Sequence, residues 1–115
     1  MPSDFSIFAI AGAKARHAAA RQALIAENVA NADTPGYRAR DIEPFDAAFV
    51  RAALSGDDFR TRTTESLGAA APNGNTVSIE DQIMRAGAAK RDHEFATTIY
   101  AKSLAMLRAA LGRSR

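Results

Sequence analysis

The chain has 115 residues, with 15 Lys and Arg against 13 Asp and Glu, two histidines and no cysteine. A chain of this length holds one domain, because domains commonly span about 100 to 150 residues. The lack of cysteine excludes disulfides, thiolate metal sites and cysteine nucleophiles, and a net charge of +2 interspersed along the chain makes no basic patch of the kind nucleic acid requires.

Leu, Ile, Val and Phe together number 22 of the 115 residues. The 47% hydrophobic content therefore rests on alanine, which favours helix but supplies little apolar area for burial. A thin core and a marginal monomer are expected. The first element is a long helix from residue 5 to 31, free of proline and holding only Gly12, with Ser3 or Asp4 as its N-cap. The apolar patch at its start has no leading positive region and runs directly into charged sequence, so a secretory signal is not expected. No apolar run in the sequence approaches the ~20 residues that cross a bilayer. Ile10, His17, Leu24 and Asn31 recur at a heptad spacing, the repeat of a coiled-coil seam. Leu24, Asn28 and Asn31 share one helical face. The two amides either fix register against another helix or simply cap and fray the helix end.

Pro35 lacks an amide donor and pushes Thr34 out of helical geometry, which ends the helix. Thr34-Pro35-Gly36-Tyr37 fits a type II turn with glycine at the positive-φ position. Tyr37, Arg38 and Arg40 then lie on an extended arm suited to an acidic or polar groove on a neighbour. Phe45, Phe49 and Val50 predict a brief helix or docking segment over 45–54, and the composition of 55–75 predicts a flexible or partner-ordered linker. Pro72-Asn73-Gly74-Asn75 is a turn, and Ser78 can cap the amide of Asp81 at the start of a second helix over 78–111, stopped by Gly112. On that helix Tyr100, Leu104, Leu107 and Leu111 form one stripe, and Phe95, Ile99 and Met106 form another beside it. Together they are broad enough to meet more than one neighbouring helix.

The predicted fold is all-α: two long terminal helices in an antiparallel, coiled-coil-like hairpin, with an irregular and partly flexible middle. Its parts are an N-terminal helix (1–33), a turn and docking arm (34–54), a linker (55–77) and a C-terminal helix (78–115). Catalytic chemistry finds no support. His17 and His93 stand one on each helix outside any metal-binding array, Asp57-Asp58 and Glu80-Asp81 read as solvated or capping acids, and no phosphate-binding glycine loop occurs. Arg91-Asp92-His93-Glu94 cannot converge, because neighbouring helical residues point about 100° apart. No enzyme activity, metal or cofactor is expected.

Asn28, Asn31, Thr34, Pro35, Gly36 and Tyr37 fit the pattern Asn-x-x-Asn-x-x-Thr-Pro-Gly-Tyr, which resembles the N-terminal signature of bacterial flagellar rod and hook proteins. Ala39-Arg40-Asp41-Ile42, the turn from Asn73 to Val77 and the chain ending from Tyr100 to Arg113 are similar to the basal-body rod members of that family. Asp33 departs from a frequent asparagine, and Glu43-Pro44-Phe45 interrupts the usual Asp-Ile-Asp-Phe run. The resemblance implies a structural subunit of the proximal rod, exported through the flagellar type III apparatus without a cleaved signal. It would assemble in the periplasmic span and transmit torque from motor to hook. The implied partners are copies of the chain, other rod proteins, the MS-ring and rod junction and a FliE-like adaptor, with no nucleic acid and no direct membrane span. Assembly residues would be Asn28, Asn31, Thr34, Pro35, Gly36, Tyr37, Arg40 and Asp41, the stretch from Thr34 to Asp41 reaching an adjacent subunit. Helix packing would use Ile10, Leu24, Phe95, Ile99, Tyr100, Leu104, Met106, Leu107 and Leu111. The alternatives are a sister rod protein carrying the same N-terminal motif, or a small helical binding module that offers its basic arm to an acidic partner.

Overall fold

The computed structural model describes residues 4–49, 61–63 and 70–112. Helix α1 spans Asp4–Ala30, strand β1 Arg40–Ile42, a short helix α2 has its described residues at 45–49, strand β2 spans Thr61–Thr63 and helix α3 spans Ile79–Gly112. The long helices of 27 and 34 residues are about 40 and 50 Å in length. They run antiparallel: the rings of Phe8 and Tyr100 meet with centroids 4.0 Å apart, and at the opposite end the Asn28 amide meets Gln82. The all-α hairpin expected from the sequence is the observed fold.

Local chemistry sets the helix ends. At Asn31 the backbone amide is shared between the carbonyls of Glu27 and Asn28, each 3.1 Å away, and the side-chain amide folds back onto the Glu27 carbonyl at 2.8 Å. These bonds satisfy groups that a helix end otherwise leaves open. Helix α3 opens with Ser78 as N-cap, its Oγ accepting from the Asp81 amide at 3.3 Å. Glu80 and Asp81 stand in the first turn, where the helix dipole favours negative charge. For α1, Asp4 is already helical, and Ser3 lies outside the described residues.

The seam is made mostly of alanine. Ala11, Ala13 and Ala18 of α1, with Ala89 and Ala96 of α3, are buried together with Leu24 and Ile25. Side chains this small let the helix backbones approach closely and push the larger residues to the margins. The expected packing residues accordingly divide. Leu24 is buried, Ile99, Leu104 and Leu107 are half-buried, and Tyr100 covers Phe8 while keeping 38% of its surface. Ile10, Phe95, Met106 and Leu111 remain 42% to 64% exposed. The Ile10-His17-Leu24-Asn31 heptad is thus only partly a seam, because a straight helix drifts about 20° per heptad and carries such a stripe around its surface.

Buried His17 donates from Nε2 to the Glu43 carbonyl at 2.6 Å and presents its ring to Phe45 at a near-perpendicular angle, 5.5 Å between centroids. This contact holds α2 against α1. Strands β1 and β2 pair antiparallel, with Arg40 opposite Thr63 and Ile42 opposite Thr61. The ribbon was not anticipated, since Arg-Asp-Ile has neither the length nor the alternation of a strand signal. Of the segment read as a linker, 61–63 is this strand and 70–77 is a hydrogen-bonded loop, and its other residues lie outside the described ones, as do residues 50–54 of the predicted short helix.

The radius of gyration is 18.0 Å, against about 13 Å for a compact domain of this length. Close alanine packing predicts that enlarging a seam residue separates the helices. Ala89→Leu, at a position with no exposed surface, should lower stability by about 1–3 kcal/mol in thermal or urea unfolding. Ala105→Leu, on an exposed face of α3, should stay within about 0.5 kcal/mol of the parent.

Candidate functional site: an asparagine-centred lock

Asn28, with no surface exposed, uses every hydrogen-bonding position of its amide. Its Nδ2 donates to the Arg40 carbonyl at 2.7 Å and to Gln82 Oε1 at 3.0 Å. Its Oδ1 accepts from the Tyr37 hydroxyl at 3.0 Å and from the Arg40 amide at 3.1 Å. One side chain of α1 thereby joins the turn, β1 and α3. A buried amide is tolerated only when its bonds are made, and here the partners come from three parts of the chain. Gln82 is 1% exposed, and its Nε2 has no acceptor among the described residues.

A charge network flanks this amide. Asp41, 5% exposed, accepts from Arg21 Nε and Nη2 at 3.2 and 3.3 Å, from Arg85 Nη1 at 2.5 Å and from the Ile42 amide at 2.7 Å. Arg85 also reaches Asp81 at 2.8 Å from Nε. Two cations and two carboxylates alternate from α1 through β1 to α3 and cancel in charge. Burial opposes the Arg85 charge, but bonding to Asp81 and the fields of Asp81 and Asp41 outweigh it, so its pKa is raised. With a raised pKa the pairing contributes at every pH below the ordinary guanidinium value and is lost only as pH rises past the raised one.

The second turn of the molecule docks on the first. The Tyr37 amide bonds the Thr34 carbonyl at 3.2 Å, and Gly36 has φ +74°, as a type II turn requires. Buried Asn75 donates from Nδ2 to the carbonyls of Asn31 and Thr34 at 2.9 and 2.7 Å. The Gly36 amide donates to the Asn73 carbonyl at 2.9 Å, and the Thr76 amide to the Tyr37 carbonyl at 3.0 Å. Thr76 Oγ1 accepts from the Ala39 amide at 2.8 Å. Gly74 has φ +85°, and a Cβ built on it would lie 3.5 Å from the Gly36 Cα, so two glycines meet where the turns cross.

The structure separates the two asparagines that the sequence left ambiguous. Asn28 crosses between helices, whereas Asn31 terminates α1 and accepts from the Thr34 hydroxyl at 3.0 Å. The arm folds back on its own helices. Arg40 pairs with Glu27, and its pKa is raised by the Tyr37 hydroxyl and the Glu27 carboxylate. Asp41 is occupied by Arg21 and Arg85. Within the single chain both side chains are bonded to their own helices, and folding back satisfies the strand's backbone and charges together. Arg38 stays exposed.

Sequence reading missed Arg21, Asn75, Thr76, Gln82 and Arg85 as members of the site. Asn75 stood within a recognised turn, where its small polar side chain read as turn chemistry alone. For Gln82 and Arg85 the available signal was their position in the first turns of α3, opposite the polar face of α1 in an antiparallel pair. Among the described residues no group of three or more His, Asp or Glu side chains could hold a metal ion, and no helix is long and apolar enough to cross a membrane.

The family described as flagella basal body rod protein matches residues 12–38. That span contains Asn28, Asn31 and the whole Thr34–Tyr37 turn, and it stops before Arg40, Asp41, Asn75 and Gln82. The helical hairpin and the locked turn thus accompany a similarity to flagellar basal-body rod proteins. The chain is also similar to the flagellar basal body rod protein FlgB of Agrobacterium fabrum (strain C58 / ATCC 33970), 28% identical in an alignment 108 residues long, with 76% of this chain and 79% of the relative covered.

Asn28→Asp tests the lock with little change of shape. The carboxylate keeps two acceptor bonds, loses both donors and faces the Arg40 carbonyl and Gln82 Oε1. Stability should fall by about 3 kcal/mol in urea unfolding. Arg85→Met should cost about 1–2 kcal/mol, since the guanidinium keeps some access to solvent.

Proposed function

We propose that this protein is a non-enzymatic structural subunit of the proximal rod, carrying torque from the flagellar motor toward the hook. The observation that carries this reading is the division of the molecule into a polar, cross-bonded end and a long hairpin with apolar margins. Torque loads a packed helix pair in shear. An alanine seam resists sliding weakly because it lacks interlocking bulk, whereas the Asn28–Gln82 bond and the Arg21–Asp41–Arg85–Asp81 chain of charges hold one register. A slip of one residue, about 1.5 Å along the helix axis, breaks them together.

The margins provide the assembly surface. At the open end Ile7, Ile99, Lys102, Ser103 and Met106 line a shallow groove, and beside it Ile7, Ile10, Ala11, Lys14, Phe95, Ala96 and Ile99 line a second. Such faces suit packing against helices of copies and of other rod proteins, including those at the MS-ring junction and a FliE-like adaptor. In this reading the chain reaches the periplasmic span through the flagellar export apparatus. The basic-arm alternative is not favoured, with Arg40 paired to Glu27 and only Arg38 of the arm's two arginines left exposed.

A strain lacking the protein should be non-motile with basal bodies truncated at the proximal rod, and wild type should restore both. Gly36→Val should be exported but fail to restore them, because a β-branched residue at φ +74° strains the turn by at least about 1–2 kcal/mol. Normal flagella in the deletion strain would refute the assignment.

A further inference from the structure

We propose that Asn73-Gly74 is a site of spontaneous deamidation and isomerisation that the folded chain holds closed by docking one turn on the other. It is the only Asn-Gly step in the sequence, and both residues are exposed to water. Glycine has no Cβ to obstruct its own nitrogen. In the reaction the Gly74 nitrogen gives up its proton to hydroxide and attacks Cγ of Asn73. A new C–N bond forms, the bond to the side-chain nitrogen breaks and ammonia leaves. Water then opens the resulting cyclic imide at one of its two carbonyls, giving aspartate or isoaspartate.

The fold opposes the first step at both ends of a single peptide unit. The Asn73 carbonyl accepts from the Gly36 amide at 2.9 Å, and the Gly74 amide donates to the Ala71 carbonyl at 2.8 Å. Bringing the Gly74 nitrogen onto Cγ requires this unit to rotate, which breaks both bonds. The bond to Ala71 also resists loss of the amide proton. A third restraint orients the electrophile, since Asn73 Oδ1 accepts from the Asn75 amide at 3.1 Å. The reaction therefore proceeds through the fraction of molecules in which the turns have separated. The isoaspartate product then fixes the open state. Isoaspartate inserts an extra carbon into the main chain and displaces the carbonyl that Gly36 bonds, so a modified chain cannot remake the lock.

The test follows the full-length protein in mildly alkaline buffer, with and without denaturing urea, by peptide mass spectrometry at residue 73. The readouts are the gain of about 1 Da that replacing the amide by a carboxyl produces and the isoaspartate content. Modification in urea should run about tenfold or more faster than in the native protein. Asn75→Ala, which removes the bonds to the Asn31 and Thr34 carbonyls, should raise the rate in native buffer toward the urea rate. Thr76→Val, which removes only the Oγ1 bond to Ala39, should raise it less and serves where Asn75→Ala does not fold. Equal rates with and without urea would overturn the protection. A denatured chain reacting no faster at Asn73 than at Asn28 would overturn the site.

Discussion

A buried primary amide must satisfy two donors and two acceptor positions at once, and Asn28 meets that demand by drawing three separate stretches of chain to one point. The turn supplies the Tyr37 hydroxyl, β1 supplies both backbone groups of Arg40, and α3 supplies Gln82. Moving any of these stretches leaves polar atoms unpaired in a site closed to water, at about 1–3 kcal/mol for each group. Orientation of the arm and relative height of the helices thus follow from one side chain.

The dependence is strong because the rest of the interior is weakly specifying. Alanine seams bring helices close but offer few interlocking shapes, so apolar packing by itself leaves several registers close in energy. Directional bonds remove that degeneracy. The charge chain from Arg21 to Asp81 acts in the same way, since paired ions contribute little net stability where they are partly solvated yet discriminate between alignments that join or separate opposite charges. The same economy of apolar bulk leaves Ile10, Phe95, Met106 and Leu111 on the margins.

Helix periodicity, the proline stop and the Pro-Gly turn were legible because each is governed by local backbone chemistry, and the hairpin followed from two such helices. The amide pattern was legible as a family signature, and the role of Asn28 was one of two readings left open. The return of the arm was not legible. Tyr37, Arg38 and Arg40 carry no local mark that says whether an aromatic and two cations meet a neighbour or their own helices; the answer depends on Glu27, Asp41 and Arg85, up to 48 positions away. The β1–β2 ribbon was hidden for a related reason, as its three-residue strands are extended by tertiary bonding and not by propensity.

The bonds to Asn28 differ greatly in the length of chain they close. Arg40 lies 12 residues away and Gln82 lies 54 away. Closing the shorter loop has the smaller entropic cost, so a chain emerging extended can fold its arm onto α1 before α3 is in place. The order matters for specificity. Once the arm is down, Asn28 has one donor still unspent, a template with a single complementary position. Helix α3 then adds to a surface already shaped to receive Gln82 and Arg85, and the search among helix alignments is over before the longest loop has closed.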